Sequence, residues 1–419
     1  MKESRTVEFK ESLTSTYLKT ISAFSNYGSG TILFGIDDQG HPVGIVNPDK
    51  ACLDLENQIN DNIKPKPEYS LHVNQASNII TLSISEGMFK PYLYKGKAYK
   101  RSDTSTVEVD QIELKRLVLE GSNQYFEQLP YHAKSELTFD TLEKKLIDVL
   151  KIKAITKDIL RTLSLCTDKG SYNNAAGLLS DRNNFSGIDI IRFGNSINEI
   201  SERVQCINQS VLLQYDTAIS MFQRYYEHEE IIGAKRIKKE SLPLEAFREA
   251  VANALVHRTW DVNANIRISM FNDRIEIMSP GGLPSGISKE VYLNGKLSIL
   301  RNPTLGSIFF RLHIIEIFGT GIKRIQYSYQ PYELKPSFQI HDNSISVILP
   351  TTDRKLSMTT DEAAVFKVLS SGRELSNSEI TKGLNWEKSK TLRILNSLLA
   401  NKYIIVIGNG RGTKYSRNA

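Results

Sequence analysis

The run Glu245-Ala246-Phe247-Arg248-Glu249-Ala250-Val251-Ala252-Asn253-Ala254-Leu255-Val256-His257-Arg258 constrains the chain more than any other stretch. Phe247, Ala250, Val251 and Ala254 form an apolar row at helical spacing, the mark of a helix packed along one side. Glu249, Asn253 and His257 recur every fourth residue on a different row. Polar groups aligned beside a packing face line a site rather than plain surface. A carboxylate with an asparagine one turn later can hold a water and a divalent cation against a nucleotide's phosphates. For His257 alone, an ordinary packed histidine is the preferred reading over a catalytic one.

The length of 419 residues allows about three domains of ordinary size. Hydrophobic residues make up 40%, enough for normal cores, and no apolar run reaches the roughly 18 residues of a membrane span. Met1-Lys2-Glu3-Ser4-Arg5 leads into no apolar signal core. Cys52, Cys166 and Cys206 lie far apart without metal-ligand spacing, so a reduced cytoplasm is expected, with no membrane partner. The net charge of +6 is unevenly placed. Residues 351–419 contain twelve Lys/Arg and six Asp/Glu, so the tail carries the whole excess on a neutral body. That is the electrostatic pattern of a nucleic-acid module.

Periodicity divides the chain into a multidomain α+β arrangement. Within 1–120, a helix is expected from Ser12 to Asn26 and a short strand from Thr31 to Ile36. A helix over Ala51 to Ile63 and strands over Tyr69 to Val73 and Ile79 to Ile84 follow, then a hairpin over Tyr92 to Tyr99 and a helix from Asp110 to Leu119. Residues 121–240 show helices near 142–150 and 158–165, a strand at 188–193 and helical periodicity over Ile200 to Tyr226. With no catalytic constellation, they read as a mixed connector. Residues 241–350 hold the opening helix, strands at 265–271, 274–278 and 344–349, and helices near 305–317 and 322–329. A polar linker up to Thr360 leads to the tail, taken as 357–419.

In the tail, helices are expected over Ala363 to Leu369, from Ser376 onward, and over Trp386 to Leu399 with Leu392, Leu395 and Leu399 inward. Tyr403 to Ile407 and Thr413 to Tyr415 form a ribbon around Gly408-Asn409-Gly410-Arg411-Gly412. This is winged helix-turn-helix order. Such folds put the third helix in the major groove and the ribbon on backbone or minor groove, which nominates Lys388, Lys390 and Arg393 on the helix and Arg411 and Lys414 on the ribbon. The bland alternative is a small domain with a merely solvated basic face; agreement of order and charge favours DNA.

Glu245 to Trp260, Arg274 to Pro284, and Arg301-Asn302-Pro303 through Phe318-Gly319-Thr320-Gly321-Ile322-Lys323-Arg324 resemble the divergent GHKL-type ATPase domain of RecG-like proteins, over about a quarter of the chain. The resemblance implies a GHKL-like α/β sandwich binding ATP with Mg²⁺. Glu249 would polarise water, Asn253 would hold the metal, and Gly281, Gly282, Gly319 and Gly321 would line adenine or phosphates. In the wider group an Asp precedes the first glycine turn; here Ser279 stands there, so binding and a decayed site both stay open.

Glu3 to Lys10, Phe24 to Asp38, and Tyr99-Lys100-Arg101-Ser102-Asp103-Thr104 resemble the Schlafen AlbA-type domain over residues 1–120. In some Schlafen proteins clustered carboxylates and Mg²⁺ or Mn²⁺ cut RNA or DNA, which implies Glu3, Glu8 and Asp37 (or Asp38) as metal ligands and catalytic groups. Against this, Glu8 and Lys10 share a strand face and can simply pair, and Asp37-Asp38-Gln39-Gly40 is ordinary turn chemistry. Non-catalytic nucleic-acid binding by Lys10, Lys100 and Arg101 is the larger expectation. The favoured function is a DNA-binding, ATP-responsive transcriptional regulator acting as a homo-oligomer. The alternative is a Schlafen-like nuclease in anti-phage defence. A helicase is excluded by the missing G-x-x-x-x-G-K-[ST] loop, and a histidine kinase by the lack of a phosphoacceptor helix pair.

Overall fold

The computed structural model describes residues 2–132, 136–232, 235–284, 287–295, 299–316, 319–352, 359–369, 374–400, 403–408 and 410–417. The N-terminal part runs β1 (Val7–Lys10), α1 (Tyr17–Tyr27), β2 (Gly30–Phe34), α2 (Pro48–Asn62), β3 (Ile63–Lys64), β4 (Tyr69–Asn74), β5 (Ile79–Ile84), β6 (Leu93–Tyr94), β7 (Tyr99–Ser102), β8 (Ser105–Glu108) and α3 (Gln111–Gly121). Its main sheet has the order β1-β2-β5-β4, with β1 parallel to β2 and the rest antiparallel. Tyr17, Leu18, Ile21 and Phe24 of α1 bury against Ile32, Phe34, Ile80 and Leu82, following the apolar row in the sequence. Asn47 caps α2 by accepting from the Lys50 amide, and Pro48 opens the helix. The expected 92–99 hairpin is only a tight turn. Its arms pair elsewhere, β6 with β3 and β7 with β8.

Next come α4 (Asp140–Leu150), α5 (Lys157–Thr162), α6 (Asn174–Leu179), β9 (Ile188–Phe193), β10 (Ile200–Cys206), α7 (Val211–Tyr226), the ribbon β11 (Glu227–Ile232) and β12 (Lys235–Glu240), and α8 (Leu244–Val256). Then follow β13 (Ile266–Met270), β14 (Arg274–Pro280), α9 (Lys289–Leu293), α10 (Pro303–Arg311), α11 (Gly321–Ser328), β15 (Ser337–His341) and β16 (Ser344–Pro350). Six strands form one sheet, β10-β9-β13-β14-β16-β15, in which β9 and β13 are parallel. One apolar cluster extends from Leu137 to Leu349. Residues 121–240 are therefore not a connector: they supply two strands and four helices to the body that contains α8. Helical periodicity over 200–226 holds only from Val211; Ile200–Cys206 is an edge strand whose inner face, Ile200, Val204 and Cys206, is interrupted by Glu202, which blurs its period of two.

The tail comprises α12 (Thr360–Val368), β17 (Leu375–Ser376), α13 (Asn377–Leu384), α14 (Lys388–Ala400), β18 (Ile404–Ile407) and β19 (Lys414–Arg417). Capping boxes at Thr359/Glu362 and Ser376/Glu379 start α12 and α13. The three strands lie in the order β17-β19-β18. Val365, Leu369, Ile380, Leu395, Leu398 and Ile404 form a separate small core. Most of the expected linker, 353–358, lies outside the described residues.

Candidate nucleotide cleft and nucleic-acid surfaces

On α8, Glu249 is buried and Asn253 half-buried, and Asn253 Nδ2 donates to Glu249 Oε1 at 3.2 Å. That leaves the amide oxygen of Asn253 as an acceptor. Burial raises the Glu249 pKa, partly offset by Arg324 on α11 and by the Asn253 bond. A carboxylate in that state makes a better general base than an exposed one. Gly321, the first residue of α11, lies directly on this pair. A Cβ there would collide with Glu249 Oε1 and stand 2.7 Å from Asn253 Nδ2. Two features read separately in the sequence thus meet. His257 does not complete the row: the helix ends at Val256, and His257 caps it off-axis, its N–H donating to the Asn253 carbonyl at 2.9 Å. Burial and the nearby Arg301 charge push its imidazole down to about 4, so it is neutral at physiological pH.

The first glycine turn has a packing explanation. Gly281 adopts φ 109, and a Cβ on it would collide with Thr259 and Arg301. A Cβ on Gly282 would collide with the Asp342 carbonyl in the β15–β16 turn. Arg301 fills the adjoining space, donating to the Thr259 hydroxyl and, at 2.9 Å, to the Gly282 carbonyl. Ser279 is buried and donates to the Ala254 carbonyl at 2.9 Å, so its hydroxyl is already committed to α8. Gly319 (φ 65) lies near Gly295, where a Cβ would stand 3.1 Å from the Gly319 carbonyl. The donor set therefore fits a cation and phosphates at Glu249, Asn253 and the Gly319–Gly321 turn. It does not fit an adenine reader at Ser279.

Several supporting residues had no role from the sequence. Glu127 is buried and accepts from the backbone amides of Thr304 and Leu305, the latter at 3.0 Å, capping α10. Burial raises its pKa to about 7 despite those bonds. Asn302 donates to the carbonyls of Val256 (2.7 Å) and Arg258 (2.9 Å), tying off α8. Arg258 is fully buried, stacked 4.3 Å from the Trp260 ring centre, and gathers the carbonyls of Gly187, Val262 and Ala264. The Arg301-Asn302-Pro303 motif was the available signal for Arg301 and Asn302; Glu127 and Arg258 had none.

In the N-terminal domain the expected carboxylates have other occupations. Glu8 is buried between Arg101 and Lys10 (2.7 Å), with the Thr20 hydroxyl donating at 2.8 Å. Glu3 accepts from the Phe9 amide at 2.8 Å. Asp37 accepts from the amides of Gln39 (2.9 Å) and His41 (2.7 Å), and the His41 amide is the main reason its pKa is lowered. Among the described residues no three His, Cys, Asp or Glu side chains are gathered to hold a metal. Of the expected nucleic-acid contacts here, Lys10 serves Glu8, Lys100 pairs with Glu113 at 2.7 Å, and Arg101 is buried.

In the tail, Lys388 and Arg393 are exposed on α14, as is Lys414 on β19. Lys390 is engaged, 2.9 Å from Asp361 and 4.2 Å from the Trp386 ring centre. Leu395 faces the core as expected and Leu399 packs against it, whereas Leu392, also expected inward, is 43% exposed, and Thr391, Ile394 and Leu398 face the core. The Arg411 side chain lies outside what is described. No described helix is long and apolar enough to cross a membrane.

No curated protein matches the chain significantly. Several chains of solved structures match, two of which are as follows. The DIP2311 protein from Corynebacterium diphtheriae is 18% identical over 99% of this chain and 92% of that one, with a TM-score of 0.49. The N-terminal domain of a Putative ATP-dependent DNA Helicase RecG-related Protein from Nitrosomonas europaea is 26% identical over 24% of this chain and 78% of that one, with a TM-score of 0.20. Both resemblances read from the residues recur as family matches: residues 3–110 match the model for Schlafen, AlbA_2, and residues 263–349 the model described as Putative ATP-dependent DNA helicase recG C-terminal.

Proposed function

We propose that this protein is a DNA-binding regulator whose middle domain responds to a nucleotide. The observation that carries the reading is the exposed face of α14. Lys388, Ser389, Leu392, Arg393 and Asn396 are all open to solvent there, and Lys414 is exposed on β19. Three helices with strands in the order β17-β19-β18 support a winged helix reading, in which such a helix enters the major groove. Lys388 and Arg393 would contact phosphates or base edges, and Leu392 a thymine methyl. In the middle domain, Asn253 would help hold Mg²⁺ and Glu249 would polarise a water, with ATP phosphates beside Gly319 and Gly321. When bound, Mg²⁺–ATP would place phosphate charge beside this existing α8–α11 contact. The family description matched over residues 263–349, which names ATP, supports the nucleotide half. A homo-oligomer in the cytoplasm is the accompanying expectation.

Duplex-DNA binding by fluorescence anisotropy tests this. Lys388→Glu/Arg393→Glu should lower affinity at least about tenfold and reduce the salt slope by about 0.9 for each phosphate no longer neutralised. Adding ATP and Mg²⁺ should change the affinity of the intact protein, and the change should vanish in Asn253→Ala. A protein lacking residues 357–419 that binds DNA equally well would refute the reading. The nuclease alternative draws on the Schlafen resemblance, but Glu8 already has its charge balanced by Arg101 and Lys10.

A further inference from the structure

Away from Glu8, the start of α1 and the turn between β6 and β7 close a pocket of about 410 Å³ on the N-terminal domain. Its floor is made by the rings of Tyr94 and Tyr99, both buried, with centroids 6.4 Å apart. Its rim carries three lysines and the exposed hydroxyls of Ser15 and Thr16. Lys95 (φ 51) and Gly96 (φ 75) make a left-handed two-residue turn, closed by Tyr94 and Lys97 exchanging backbone bonds of 2.9 and 3.0 Å. The turn folds Lys95 back, with Nζ 5.3 Å from the Tyr94 ring centre. From the other side Lys19 reaches within 5.8 Å of the Tyr99 ring centre. Ring contacts of this kind hold ammonium groups in place without neutralising them.

The charge balance separates this pocket from the rest of the domain. Lys10, Lys100 and Arg101 are each satisfied by a carboxylate. Among the described residues neither Lys19 nor Lys95 has an ion-pair partner. Lys97 pairs with Glu108 at 2.7 Å, but both are about half exposed, so that bond is readily exchanged. Two uncompensated ammonium groups and the Ser15 hydroxyl, with the Thr16 hydroxyl shared with Thr14 at 2.9 Å, suit phosphate oxygens around one concavity. The volume suits a single nucleotide unit. A double helix, about 20 Å across and rigid, presents no element narrow enough to enter, whereas a lone strand can lay one unit into it.

We propose that the Lys19–Lys95–Lys97 pocket binds the phosphodiester backbone of single-stranded nucleic acid. This rests on the nucleic-acid reading above and adds a second site to it, distinct from the tail. The test uses the full chain with fluorescein-labelled single strands of about twelve nucleotides, as DNA and as RNA, beside a labelled duplex. Lys19→Glu/Lys95→Glu should weaken single-strand binding at least about tenfold and flatten its salt slope by about 0.7 for each phosphate no longer neutralised. Lys19→Arg/Lys95→Arg should retain it, and duplex binding should be unchanged in both. The DNA and RNA arms decide which strand the pocket prefers. Circular dichroism checks folding, and Lys19→Gln/Lys95→Gln replaces any variant that misfolds. Unchanged single-strand affinity in the folded charge-reversal or glutamine variant overturns the proposal. So does single-strand binding abolished only by Lys388→Glu/Arg393→Glu, a result that leaves the regulator reading intact. A protein that binds strands through Lys19 and Lys95 but never duplex DNA keeps the pocket and refutes the tail's role.

Discussion

Glu127 caps α10 from a segment far away in sequence, and its burial gives it a measurable signature. Its pKa rises from 4.5 to about 7 on folding. Between those values the folded chain binds the proton more tightly than the unfolded chain. Its contribution is therefore fully present below 4.5 and lost as pH rises through 7, on the order of 3 kcal/mol. Thermal melts across that window should show the fall, and Glu127→Gln, which cannot ionise, should flatten it. His257 works in the opposite sense. Its folded value of about 4 lies below the ordinary 6.5, so stability is present above 6.5 and drains away as pH drops toward 4. His257→Gln should remove that acid-side loss in the same melts. The Glu249–Asn253 pair was legible because both partners sit on one helix. Glu127 was not, because its partners are backbone amides of a distant segment, and Arg258 was not, because it is held by irregular loop carbonyls at Val262 and Ala264 together with Ser186 and Gly187 from another segment, which no helix or strand period describes.

At the level of elements, most helices and central strands followed their periodicity, since one face of each is buried. The misreadings fell where that condition fails. Edge strand β10 carries Glu202 in the middle of its inner face, and the described side chains of the β11–β12 ribbon are mostly exposed. The seam between α8 and α11 depends on a missing side chain. Gly321→Ala should force α11 away from Glu249 and Asn253 and weaken binding of an ATP analogue with Mg²⁺, measured by calorimetry, by about tenfold, the scale of a one-carbon overpacking. Gly282→Ala meets backbone rather than a movable side chain. It should cost about 1–3 kcal/mol in urea unfolding whether or not nucleotide is present.

Across the whole molecule, the N-terminal domain touches the middle body on both sides of the first glycine turn. Arg116 of α3 binds Asp261 at 2.7 Å, two residues beyond the Thr259 that Arg301 holds. Arg5 lies 4.0 Å from Asp342, whose carbonyl abuts Gly282. A double-mutant cycle with Arg116→Ala and Asp261→Ala should give a coupling of about 0.5 kcal/mol, modest because both groups are partly exposed. The tail meets the same body through Arg417, which binds the Phe366 carbonyl at 2.8 Å and Glu333 at 3.3 Å. The continuous core from Leu137 to Leu349 governs how the protein can be taken apart. A fragment beginning at the family match, residue 263, would leave behind α8 with Glu249 and Asn253, and would strip β13 of its partner β9. It would present a raw, unpaired strand to solvent and aggregate. An excised piece that begins before Phe126 keeps the sheet whole and carries Glu127 with it, so that is where a soluble middle fragment has its natural seam.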